Sequence, residues 1–111
     1  MQSNQSPSAA IKDLEGQIRR VLRTTDEAKL TKKPRGFISD LRQVIIDAKI
    51  YATDYELSEM RGEQLNNAKQ ARHYLEKARV DILGASEDGI FSAIDVAHLS
   101  AQIEQISVQL R

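Results

Sequence analysis

Six residues between Ile38 and Tyr55 constrain this chain more than any other feature in it. Ile38, Leu41, Ile45, Ala48, Ala52 and Tyr55 step by 3, 4, 3, 4 and 3. An α-helix turns once every 3.6 residues, so this rhythm lays all six along one face, whereas a strand would scatter them over two. Phe37, Val44 and Tyr51 widen the face beyond what a two-stranded seam needs, which predicts a helix in a bundle core. Ser39 or Asp40 is the expected start, with Phe37 or Ile38 stapling the entry.

The same rhythm recurs along the chain. Ser6 and Pro7 have the N-cap and first-position signature of a helix start, followed by Ile11, Leu14, Ile18, Val21 and Leu22, which predicts a helix to about Thr24. Gly16 inside it costs about 1 kcal/mol relative to alanine. "TTDEAKL" has room for one turn capped by Thr25 before Pro34 and Gly36 interrupt the pattern. Gly62 is the expected end of the second helix, with Asn66 or Asn67 capping the next, although good helix formers around it also suit an uninterrupted helix. Ala68, Ala71, Leu75, Ala78 and Ile82 form the third stripe. Gly84 is its expected stop and Ser86 the cap of a last helix, with Glu87 and Asp88 in its first turn, where the helix dipole favours acids. That helix carries Phe91, Ile94, Val96, Leu99, Ile103, Ile106 and Leu110.

No alternating strand pattern competes with these four segments. Short connections between amphipathic helices predict an all-α, antiparallel four-helix bundle, three long helices and a shorter N-terminal one. Residues 1–6 are expected to be a disordered tail and residues 7–111 one domain. Aromatic residues are 5% of the chain and tryptophan is absent, so the core must be mostly Ile, Leu, Val and Ala.

Composition narrows the function. Without cysteine, disulfides, thiolate metal sites and cysteine nucleophiles are excluded. No apolar run reaches the roughly 18–20 residues that span a bilayer, and "MQSNQSPSAA" lacks the layout of a secretory signal, so a cytoplasmic location is expected. There is no glycine-rich phosphate loop, His-Glu-x-x-His motif or nucleophile elbow, and the expectation is a non-enzyme without a cofactor.

Three groups of residues remain as candidate sites. The last helix is apolar along two lines, Ile90, Phe91, Ile94 and Ala97 on one and Val96, Leu99, Ile103, Ile106 and Leu110 on the other. Charge is sparse after Asp95. Such a helix is either central to its own bundle or a contact with another protein or a second copy of the chain, and a homodimer fits. Phe91, Ile94, Leu99, Ile103, Ile106 and Leu110 are the candidate interface residues.

Charge supplies the second group. The 16 basic and 16 acidic residues cancel overall, but residues 11–35 hold eight cations against four acids. Arg19, Arg20, Arg23, Lys32, Lys33 and Arg35 are therefore the candidates for nucleic-acid binding. "KKPR" has the flavour of a nuclear-localisation signal, and "PRG" resembles the centre of an AT-hook until Phe37 stands where that motif has a second arginine. A neutral chain disfavours phosphate binding, and a solvated loop explains the same cations.

The third group is His73 with Glu76 and Asp95 with His98, each pair three residues apart. They faintly resemble the carboxylate and imidazole pairs of metal-binding bundles, in reversed order on the third helix and without inward glutamates on the second. Exposed pairs on a helix surface account for them equally well. Tyr51, Tyr55 and Tyr74 offer stacking faces for bases but are expected to edge the core.

Overall fold

Four helices carry the structure. The computed structural model describes residues 5–25 and 35–111, with side chains in the second segment from Ile38 onward. Helix α1 spans Pro7–Thr24, α2 Arg35–Leu57, α3 Arg61–Glu87 and α4 Ala93–Gln109. Of "TTDEAKL", Thr24 ends α1 and Thr25 is its C-cap, while residues 26–30, the Pro34 break and the tail through Asn4 lie outside the described residues.

The N-terminus of α1 forms as its sequence dictates. Ser6 accepts a hydrogen bond from the Ala9 N–H at 3.3 Å, and Pro7 takes the first helical position, where its missing N–H costs nothing. Helix α2 begins at Arg35, ahead of the expected caps Ser39 and Asp40, which lie inside it. Gly36 is likewise helical.

The break after α2 falls earlier than Gly62. Ser58 to Glu59 and Met60 make the connection, and Gly62 is the second residue of α3. Ser58 holds the turn together: its Oγ donates to Asp54 O at 2.6 Å, while Gln64 and Asn67 donate to its carbonyl and hydroxyl at 3.0 and 3.1 Å. Asn67 thus ties the turn from within the helix, and neither it nor Asn66 is the cap.

The next boundary also moves. Helix α3 continues through Gly84, because Ala85 belongs to its buried stripe and is 0% exposed. It stops at Gly89, the only positive-φ residue described (φ 81°), with Gly89 N–H bonded to Ser86 O at 2.9 Å and Ile90 N–H to Ala85 O at 3.0 Å. These two bonds form a Schellman stop, and Ile90 packs into the core behind it. Ser92, not Ser86, caps α4, through a reciprocal capping box with Asp95. Ser86 instead donates to Phe91 O at 3.1 Å and braces the turn.

The helices run up, down, up and down. Ser8 N–H donates to Glu56 at 2.9 Å and Lys49 pairs with Glu15 at 3.2 Å, so α1 is antiparallel to α2. Tyr51 stacks on Tyr74 with ring centroids 5.7 Å apart, placing α3 antiparallel to α2. Each helix packs on its neighbour in sequence and α4 returns to α1, closing a ring without diagonal contacts among the described residues. Twenty-two apolar side chains form one core, including nearly all of the four stripes. Val21, Tyr51, Tyr55 and Val96 pack at its edge half-buried. No described helix is long and apolar enough to cross a membrane.

Candidate interaction surface

The two apolar lines of α4 have different fates. Leu99, Ile103, Ile106 and Leu110 face inward at 1–3% exposure, and Phe91 fills the core from the turn before the helix at 2%. Five of the six candidate interface residues are therefore covered within the chain by their own bundle. Only Ile94 faces out, at 81% exposure. The Gly89 stop turns Ile90 and Phe91 inward, off the Ile94 line, and within α4 the five residues from Ile94 to Leu99 set the two about 140° apart, so Ile94 faces out when Leu99 faces in.

What remains on the outside is a narrower stripe. Ile94, Ala97, Ala101 and Val108 follow one another by 3, 4 and 7 residues and are all exposed, Val108 at 52%. Polar neighbours His98, Ser100 and Gln105 flank it. Glu104, paired with Arg111 at 3.2 Å, stands with Gln105 in the seven-residue step between Ala101 and Val108.

Helix α2 carries a second outer stripe that its sequence conceals. Ile46, Ile50 and Leu57 are 39, 50 and 74% exposed, and with Thr53 they step by 4, 3 and 4. "VIIDAKIYATDYEL" contains both faces; the inner stripe is so broad that the outer one passes for its edge. Helix α2 lies between α1 and α3 in the ring; Ile46 borders a groove shared with Ile18, Arg19 and Leu22 of α1, and Ile50, Thr53 and Leu57 face outward.

The cationic candidates divide. Arg19, Arg20 and Arg23 project from α1 into solvent, Arg19 at 3.9 Å from Glu15. Lys32 and Lys33 lie outside the described residues, as does the side chain of Arg35. Arg19 and Arg20 border an open groove of about 1240 Å³ between α1 and α4, alongside Asp13 and Glu104. The groove thus mixes both signs.

The four metal candidates are not brought together: no group of three or more ligand side chains forms among the described residues. Glu76 is engaged by Arg79, whose Nε donates to it at 3.0 Å and whose Nη2 makes a second bond. Those bonds hold the Glu76 carboxyl below its usual range. Asp95 closes the capping box of α4. His73 is exposed and packs edge-on against Tyr74, and His98 is exposed on α4.

One acid breaks the core pattern. Asp81, on α3, is 8% exposed and lies beside Asp40 and Lys77. Burial pushes its carboxyl up to about 7, the Asp40 carboxylate on α2 adds to the rise, and Lys77 opposes it. Sequence periodicity does place position 81 beside Ala78 and Ile82 on the inner face, but an aspartate there reads as solvated.

Comparison with known proteins finds no matching family model, no matching curated protein and no matching solved structure.

Proposed function

We propose that this chain is a non-enzymatic protein–protein interaction module, an adaptor, regulator or subunit of a larger assembly, that binds through outer helix faces. The observation that carries this reading is the outer face of α4. Ile94 at 81% exposure, with Ala97, Ala101 and Val108 on the same line, lies on a helix whose inner face is already fully engaged. Apolar residues in line along a rigid helix, with few charges beside them, suit the groove or helix of another protein. A single exposed isoleucine would carry little; the alignment over four turns, broken once at Glu104 and Gln105, is what favours recognition.

The test is capture of partners from the native host with the wild-type chain and with Ile94→Glu/Val108→Glu. Both sites are exposed, so the variant should keep its far-UV circular dichroism and lose the proteins that the wild type retains. An unchanged set of retained proteins contradicts the reading. Binding of nucleic acid through Arg19, Arg20 and Arg23 is the second reading; it requires a salt-sensitive gel shift that weakens when these arginines are replaced.

A further inference from the structure

We propose that the outer stripe of α2 is the seam of a symmetric dimer, in which α2 pairs in parallel with α2 of a second copy. The proposal rests on the interaction-module reading but concerns a different face from α4.

The spacing is that of a two-helix seam. Gln43, Ile46, Ile50, Thr53 and Leu57 alternate steps of 3 and 4, so Gln43, Ile50 and Leu57 take the a positions of a heptad and Ile46 and Thr53 the d positions. The two polar members are prepared for the role. Thr53 donates its hydroxyl to Lys49 O at 2.8 Å, within its own helix, which leaves its methyl free for packing. Gln43 donates to Asp47 at 3.1 Å along the helix surface.

The flanks identify the occupant. On one side of the seam, at the e positions, stand Asp47 and Asp54; on the other, at the g positions, stand Arg42, Lys49 and Glu56, the last already taken by the Ser8 N–H of its own chain. In a parallel pair each g residue meets the e residue five positions further along the partner. Arg42 then meets Asp47 of the second copy, and Lys49 meets Asp54, and twofold symmetry makes each contact twice. An antiparallel pair would instead set Asp47 against Asp54 and Lys49 against Lys49, with only Arg42 against Glu56 in its favour. A second copy in parallel register therefore satisfies the charges that this face presents. The outer stripe of α4 has no such ordered flanks, and nothing comparable selects its partner.

Two structural facts assist. Helix α2 is already folded against the bundle, so pairing does not have to order a free helix. Lys49 also contacts Glu15 of α1 and remains 34% exposed at its side chain, so it has a face to offer. The seam is only about two heptads long, which makes the dimer weak and dependent on concentration.

Sedimentation equilibrium of the full chain, from about 1 μM to about 1 mM, reads the outcome. The wild type should show a monomer–dimer equilibrium. Ile50→Glu should abolish it with unchanged circular dichroism. Arg42→Glu sets like charges against Asp47 twice per dimer and should weaken association about tenfold. Adding Asp47→Arg to Arg42→Glu should restore it to within about threefold of wild type. A wild type that stays monomeric throughout overturns the proposal, as does a dimer indifferent to Ile50→Glu or a charge reversal that fails to restore pairing. None of these outcomes touches the α4 reading, which stands or falls on the Ile94→Glu/Val108→Glu capture.

Discussion

At the scale of single residues, Asp81 is where the chain departs furthest from its own pattern. Between its ordinary value of 3.8 and about 7, the folded chain holds a proton there that the unfolded chain has released. Stability contributed by this group is therefore fully present below pH 4 and lost as pH rises through about 7. Asp81→Asn keeps the shape, cannot ionise and can still donate toward Asp40. It should melt several degrees above wild type at pH 8, a difference on the order of a few kcal/mol, and close to wild type at pH 4. Thermal melts across that range check this, and a gap independent of pH would show that burial does not raise the Asp81 carboxyl. Periodicity marks position 81 as inward, yet a stripe is recognised by its apolar members, so residue type hid what spacing disclosed.

At the scale of elements, the helices were legible from their stripes, and their ends were not. Ser6–Pro7 was readable because cap and first-turn residue stand side by side in sequence. Gly84 and Gly62 misled, since a glycine can stop a helix only where the chain gains from stopping. At Gly84 it gains by continuing, because the next residue, Ala85, belongs to the core. At Gly89 it gains by stopping, because Ile90 and Phe91 can then turn inward. The contrast is measurable. Gly89→Ala forces a side chain into positive φ and should cost about 1 kcal/mol. Gly62→Ala is helical, with nothing within 4 Å of the added carbon, and should gain roughly 0.5–1 kcal/mol. Urea denaturation of both variants checks the pair; a loss at Gly62 equal to that at Gly89 would mean that α3 begins later than Arg61.

At the scale of the whole molecule, sequence established that α4 is apolar on two sides but not which side the bundle uses. That choice depends on where the helix starts, and the start depends on the turn at Gly89, seven residues past the last residue of the third stripe, Ile82. Once Ser92 caps α4, Leu99, Ile103, Ile106 and Leu110 close the core, and Ile94 is left facing out. The broad face of α2 hid its outer stripe in the same way, since Ile45 is buried while the adjacent Ile46, about 100° round the helix, is 39% exposed. One helix is thus divided into a covered line and a free line. Because the chain has no cysteine, it can be tested with single introduced thiols. In dilute protein, Ile94→Cys should react with a thiol reagent nearly as fast as in denaturant. Ile103→Cys should react only through unfolding, slower by about a thousandfold or more. Equal rates at the two positions, or protection at position 94 in dilute protein, would contradict the account.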